Sequence, residues 1–327
     1  MTNGDTNWRP TATLAALERR ARMLRLARDF FAGRSILEVE TPALTRYGVS
    51  DPHIASLETQ LAARGARTHF LHTSPEYAMK RLLAAGAPDI FQISKVFRDH
   101  EIGSAHQPEF TMVEWYRLGA TLDDMIDETC TFITEVCELT GVPVDTCRYR
   151  DIFIAACHID PLETDADRLA DCAERMINSM TADLRRQIGS DPNAWQNLLM
   201  SHVVVPGLAP ERLSVIHHYP ADQAALARLD PSEPELAERF EIFLGGIELA
   251  NGYRELTDAA EQRRRFNTDM EKRRAAGLTI MEPDQALLAA LESGLPDCSG
   301  VAIGFDRLVM SACGLKHIDQ AVSFAVD

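Results

Sequence analysis

The chain has 327 residues, 46% of them hydrophobic, enough apolar material for one large domain or two ordinary ones. Its 33 basic and 49 acidic residues leave a net charge of −16, which argues against a broad nucleic-acid surface, since such a surface presents cations to phosphates. The seven cysteines form no CxxC pair, no apolar run reaches the roughly 20 residues of a membrane span, and MTNGDTNWRP lacks an apolar signal core, so the expectation is a reduced cytoplasmic protein with no zinc site and no membrane segment.

Residues 1–10 are polar and read as loose. From Thr13 to Ala32, the positions Leu14, Leu17, Ala21, Leu24, Ala27 and Phe31 recur at helical spacing, and Gly33 offers a stop. ILEVETP follows as a strand closed by Pro42, which cannot donate to a ladder. Residues 45–66 read as loop and short strands. HFLHTSPEYAMKRLLAAG then gives a strand, a turn and a helix, with Ser74 as N-cap, Pro75 at the first helical position and Gly86 at the end. Glu76 falls in the first turn, where a carboxylate also complements the helix dipole.

Ile90 to Arg117 reads as two strands joined by a polar, histidine-bearing loop. A connection this short joins antiparallel neighbours. In the second strand Phe110, Met112, Glu114 and Tyr116 share one face. A glutamate beside aromatics is costly there unless it meets a cation or a metal. Arg98 stands at the loop entrance, with Asp99, His100, Glu101 and His106 inside the loop.

Residues 122–139 form an acidic amphipathic helix. Residues 141–212 hold helical patterns around 165–180 and 195–205 and a Pro206-Gly207 break, with no chemistry assigned. His158, His202 and the pair His217-His218 read as structural, since no HxxxH or HExxH spacing supports a metal. After a strand at 212–220, two strand-like pieces, 239–244 and 246–251, precede a break at Gly252. They carry Glu241 and Glu248, and converging carboxylates favour a hard cation such as Mg2+. Asp258 and Glu261 form a capping box opening a basic helix to about Ala276. Its arginines and lysine read as a solvated face, or as a docking patch for an acidic partner. At the end, a glycine loop at Ser299-Gly300 leads to a strand, 301–304, and a helix from Asp306. Arg307 in the first turn of that helix opposes its dipole and calls for a phosphate or a purine face. No GxGxxG or GxxxxGK[ST] supports a Rossmann or P-loop reading.

These residues resemble a known family. FRDHEIGSAHQPEFTMVEWY resembles motif 2 of the class II aminoacyl-tRNA synthetases, GVAIGFDRLVM resembles motif 3, and the helix and strand of 14–42 resemble motif 1, the dimer-forming element. RFEIFLGGIELANGYRELTDAAEQ is similar to lysyl-tRNA synthetases. With motif 1 starting near residue 14, no anticodon-binding domain is expected and no tRNA anticodon binding. A stand-alone lysyl-type catalytic domain with SPE at 74–76 and EWY at 114–116 resembles the bacterial elongation factor P lysyltransferase family.

The resemblance implies an α+β fold, the class II synthetase core, with a six- or seven-stranded antiparallel sheet flanked by helices. It implies one catalytic domain over 1–327, with 141–212 as a helical insertion, and a homodimer through 14–42. It implies activation of lysine, preferably (R)-β-lysine, by ATP with Mg2+, and transfer to a lysine side chain of elongation factor P. Arg98 would hold the α-phosphate and Arg307 would lie near the γ-phosphate, both catalytic. Phe110 would stack on adenine opposite Arg307. Asp99, His100, Gln107, Glu248, Leu249 and Gly304 would complete the nucleotide site, and Glu241 with Glu248 would hold Mg2+. Ser74, Pro75, Glu76, Glu114, Tyr116, Asn251 and Glu255 would read the substrate amines. The chain departs from the motif where Arg-x-Glu becomes Arg98-Asp99-His100-Glu101. Either His100 takes the adenine-side contact through its backbone, or Glu101 shifts into it. The competing readings are a lysyl-tRNA-synthetase paralogue with another acceptor and a non-catalytic regulatory paralogue.

Overall fold

The computed structural model describes residues 8–62 and 67–326. Part of the polar N-terminal stretch and of the 45–66 loop lies outside them. Helix α1 (Leu14–Ala32) is capped by Thr13, whose Oγ1 accepts from Ala16 N at 3.2 Å. The strand expected to run to Pro42 is only β1 (Leu37–Glu38), with Leu37 half exposed. Strands β2 (Leu44–Thr45), β3 (Glu58–Leu61) and β4 (Arg67–Leu71) form a small separate sheet. Helix α2 (Glu76–Ala84) begins one residue later than the sequence suggests, with Pro75 at the cap position; Ser74 Oγ still accepts from Glu76 N at 3.0 Å.

The hairpin is β5 (Ile90–Phe97) and β6 (Glu109–Leu118), followed by α3 (Leu122–Val136). Then come β7 (Val144–Arg148), α4 (Tyr149–Cys157), α5 (Ala166–Met176), α6 (Ala182–Ile188) and α7 (Pro192–Leu199), which continues as a π-helical turn over Met200–Val204. The rest is β8 (Leu213–Pro220), β9 (Leu236–Leu244), β10 (Ile247–Arg254), α8 (Ala259–Ala275), α9 (Gln285–Gly294), β11 (Cys298–Gly304) and α10 (Phe305–Ala312).

Among the described residues the large sheet has eight strands in the order β1-β5-β6-β11-β10-β9-β8-β7. It is mixed, not wholly antiparallel: β1 runs parallel to β5 and β7 parallel to β8 at its two edges. A parallel return needs a crossover, and this explains the 141–212 stretch. Its helices α4 to α7 carry the chain from β7 back to β8. They bury Tyr149, Phe153, Leu169, Trp195 and Leu199 against Ile216, Tyr219 and Phe243 of the sheet. The stretch expected as a helical insertion therefore begins with an edge strand.

The period of two along β6 divides the molecule. Val113 and Trp115 point to a core filled by α1, α3 and α10, where Trp115 packs with Phe31 and Phe132 at centroid distances of 5.4 and 5.1 Å. Phe110, Met112, Glu114 and Tyr116 point the other way, into a cleft. Two glycine assignments change. Gly252 is inside β10, where a Cβ would stand 2.5 Å from the Phe240 ring, and Ser299-Gly300 is part of β11.

The basic helix α8 is less free than its composition suggests. Asp258 Oδ1 accepts from Ala260 N and Glu261 N, but Glu261 pairs with Arg264 and Arg265 instead of closing a capping box. Arg273 is buried, donating to Thr279 O at 2.7 Å and Asp51 O at 2.8 Å, and Arg263 pairs with Glu292. Much of the positive charge thus holds the fold together.

Candidate active site

The cleft is a continuous cavity of about 1270 Å³ over the face of β6, β11, β10 and β9, roofed by α2, α8 and the α7 end of the crossover. Its deep end is carboxylate-rich. Glu114, 2% exposed, accepts from Ser74 Oγ at Oε2 and from Tyr116 OH at Oε1, both at 2.7 Å. Burial pushes Glu114 up to about 7; Glu76 adds to this, while the two hydroxyls oppose it. Lys80, one turn along α2 from Glu76, lies on the buried side of the helix and is 2% exposed. Its Nζ stands 2.6 Å from Glu76 Oε1 and 2.5 Å from Glu255 Oε2. Burial alone would lower Lys80, but Glu255 and Glu76 outweigh it and hold the ammonium charged. Burial raises Glu255 above the usual carboxylate range against the pull of Lys80. Gly300 forms the wall: a Cβ there would be 2.4 Å from Tyr116 Cε1 and 2.6 Å from Glu255 Oε1.

The outer end carries the arginines. Arg98 lies with its guanidinium 5.2 Å from the Phe110 ring centroid, its Nη1 3.6 Å from Glu101. Arg307 is braced on three sides, donating from Nε to Ala105 O at 3.1 Å, from Nη1 to Glu248 O at 3.0 Å, and from Nη2 to His106 Nε2 at 2.6 Å. That last bond requires neutral His106 with its proton on Nδ1. Burial and then Arg307 lower the His106 pKa in the same sense.

Between the two ends lies Arg239. It pairs with Glu241, donates to Gln223 O at 2.6 Å, and sits 4.5 Å over the Tyr219 ring, while Tyr219 OH donates to Glu241 Oε2 at 2.6 Å. Glu248 receives no side-chain hydrogen bond among the described residues, and Arg307 is 3.7 Å from its carboxylate. Burial raises Glu248, and Glu241 adds repulsion.

The model of the tRNA synthetases class II (D, K and N) matches residues 5–327. The chain is 43% identical over 324 residues to a Haemophilus influenzae (strain PittGG) protein named elongation factor P–(R)-β-lysine ligase, with 98% of each chain covered. Proteins of the same name from Klebsiella pneumoniae (strain 342) and Edwardsiella ictaluri (strain 93-146) are 43% and 41% identical, again over 98% of each chain. The chain belongs to the class II synthetase family of the elongation factor P–(R)-β-lysine ligases. Its α+β core is that of the class II synthetases.

Against this family frame the sequence-predicted residues fall into two groups. Ser74, Pro75, Glu76, Arg98, Phe110, Glu114, Tyr116, Glu241, Glu248, Leu249, Asn251, Glu255, Gly304 and Arg307 all line the cleft. Asp99 and His100 do not. Asp99 N donates to Ala55 O, and His100 has φ +64° and an 84% exposed side chain, whereas Glu101 lines the cleft. Gln107 reaches the wall, but its amide is taken up by Asp319, at 2.6 Å from Nε2, and by Val326 N, at 3.1 Å from Oε1.

Residues that sequence reasoning gave no role in the ligase cleft are Lys80, His106, Tyr219 and Arg239. Lys80 follows Met79 and precedes Leu83, so helical spacing already put it beside an apolar stripe and one turn from Glu76. Arg239 and Glu241 alternate with the buried Phe240 and Ile242, which placed both on the cleft face.

Proposed function

We propose that this chain is an ATP-dependent, AMP-forming ligase that activates lysine, preferably (R)-β-lysine, and transfers it to a lysine side chain of elongation factor P in the cytoplasm. The observation that carries this reading is the deep end of the cleft. Among the described residues, Glu76 and the buried Glu255 share one internal cation, Lys80, the buried Glu114 stands beside them, and a substrate with two ammonium groups supplies what is missing. The names of the relatives point to the same substrate and acceptor for those proteins.

In this reading ATP is consumed as a substrate at the outer end. The carboxylate of the amino acid attacks the α-phosphorus, giving an aminoacyl-adenylate and pyrophosphate. The acceptor amine then attacks the adenylate carbonyl and AMP leaves. Arg98 and Arg307 offset the charge that develops at the phosphates, and Phe110 gives the adenine a flat partner. His106 and Ala105 hold Arg307 in place, which limits reorganisation during the reaction. Glu101 lines the cleft and His100 does not, which supports Glu101 as the reader of the adenine edge. At Gly304 a Cβ would meet only Arg307 carbons at ordinary contact, so the protein leaves this backbone open to close approach by a nucleotide.

The Glu248 carboxylate fits Mg2+, whereas both Glu241 oxygens are already engaged, Oε1 by Arg239 and Oε2 by Tyr219, so Glu241 would have to share one of them with the ion. The set is hard, two carboxylates press on each other, and Glu248 lacks a donor of its own. Among the described residues no cluster of three or more metal-ligating side chains exists, so the remaining ligands would be phosphate oxygens and water. Bound there, Mg2+ would neutralise polyphosphate charge. The homodimer belongs to the same proposal, supported by the exposed Leu14 and Leu37 on the 14–42 segment.

The decisive experiment is ATP–pyrophosphate exchange with α-lysine, β-lysine and other amino acids, followed by mass spectrometry of elongation factor P. A mass gain of one lysyl or β-lysyl group on the factor is expected. A gain on tRNA with none on the factor overturns the acceptor assignment.

A further inference from the structure

Just behind the wall of the cleft, Lys80 has no place in the reaction just described. It is 2% exposed, its Nζ is shared between Glu76 and Glu255, and it faces no solvent. A lysine in such a position is costly to bury unless its partners require it. The partners are the carboxylates assigned to the substrate. With Glu114 included, the deep pocket holds three acids and one base, a formal charge of −2 once all three acids are ionised.

We propose that Lys80 is the built-in counter-ion of the amino-acid pocket, fixing Glu76 and Glu255 as oriented anions and setting the pocket two charges short, so that it selects a substrate with two ammonium groups. This rests on the lysine-activating reading above and deepens it. The orientation follows from which oxygens are engaged. Lys80 takes Oε2 of Glu255, which leaves Oε1 turned toward Gly300 and Tyr116 on the pocket wall. It takes Oε1 of Glu76, and among the described residues no partner occupies Oε2 of that residue. One cation thus aims two carboxylates from behind, and the substrate meets their open oxygens. Glu114 is oriented separately by the Ser74 and Tyr116 hydroxyls, and Lys80 reaches it only through its charge.

The groups that act on this pair come from every packed element. They are Glu76 and Tyr77 on α2, Glu114 and Tyr116 on β6, Tyr253 on β10, Glu255 just beyond it, and Cys298 on β11. Lys80 is the cation inside this set. Without it, burial and mutual repulsion favour protonated carboxyls, which bind an ammonium poorly.

The test compares Lys80→Met, Lys80→Gln and Lys80→Arg with the unmodified chain in lysine-dependent exchange across pH 6–9. Met removes both charge and hydrogen bonding, Gln removes the charge alone, and Arg keeps the charge. In Met and Gln the KM for the activated diamino acid is expected to rise at least about tenfold at pH 7 while the KM for ATP stays within about twofold. The rising limb of kcat/KM for that substrate should also move to higher pH, and Arg should recover part of the loss. Should Met fail to fold, Gln carries the same comparison. An unchanged KM for the amino acid, or equal loss in both KM values with no pH displacement, overturns the role of Lys80. If the unmodified chain activates no diamino acid at all, it is the lysine-activating reading that fails instead.

Discussion

Tyr116 and Gly300 are direct register partners across β6 and β11, and the tyrosine ring lies over the glycine so closely that a Cβ would stand 2.4 Å from Cε1. The ring has little room to retreat, because its hydroxyl donates to Glu114 and it belongs to the buried cluster that includes Met79, Ile90 and Leu287. Gly300→Ala should therefore displace Tyr116 into the amino-acid pocket. The expected result is a 10- to 100-fold rise in KM for the activated amino acid, in keeping with about 1–3 kcal/mol of overpacking, with KM for ATP little changed. Steady-state exchange kinetics check this, and equal effects on both substrates would count against it.

Arg98, proposed to hold the α-phosphate, lies against Phe110 at the start of the hairpin loop. Arg98→Ala should reduce adenylate formation by about 100- to 1000-fold, the range for removing one preorganised electrostatic contact. Near-normal pyrophosphate exchange in this variant would contradict the assignment.

Glu114 has its pKa raised by burial to about 7, so in the empty pocket it is partly protonated at neutral pH. The sign follows. The folded state binds this proton more tightly than the unfolded chain, so the group's contribution to stability is full below the usual carboxylate range and lost as pH rises through about 7. An ammonium ligand prefers the anion and must displace the proton. Binding should thus tighten from pH 6 to pH 8, with proton release on complex formation. Calorimetry in two buffers of different ionisation enthalpy measures that release, and Glu114→Gln should reduce it.

Among the described residues, no hydrogen-bond donor meets the Glu248 carboxylate, and Glu241 presses on it. Glu248→Gln should raise the Mg2+ concentration needed for half-maximal exchange by about tenfold or more, and excess Mg2+ should recover part of the rate. An identical Mg2+ titration curve in the variant would remove Glu248 from the metal site.

Much of the site was legible because local rules reach it. The period of two put Phe110, Met112, Glu114 and Tyr116 on one face, and they are there. Arg307 in a helical first turn demanded an explanation, and it now faces the cleft from a braced position. Other features depend on partners far along the chain. His100 and Asp99 occupy motif positions, yet the positive φ at His100 turns it outward and brings Glu101 to the cleft wall. The amide of Gln107 was unreadable as a structural clamp, because Asp319 and Val326 lie more than two hundred residues away in sequence. The parallel edges were also hidden. Pattern alone does not distinguish an edge strand such as β7 from the start of a helix, and only the return at β8 fixes its direction.

The strand order carries a consequence for synthesis. β11 is inserted between β6 and β10, but the ribosome makes it after both. Until Cys298–Gly304 emerge, β6 and β10 each present an open backbone edge, and the halves of the cleft they carry have nothing to join them. The nascent chain therefore passes through a stage with two unpaired edges, a state that invites wrong pairing and chaperone capture. Glu114 and Glu255 are brought together by the last central strand, so binding competence arrives late and in one step.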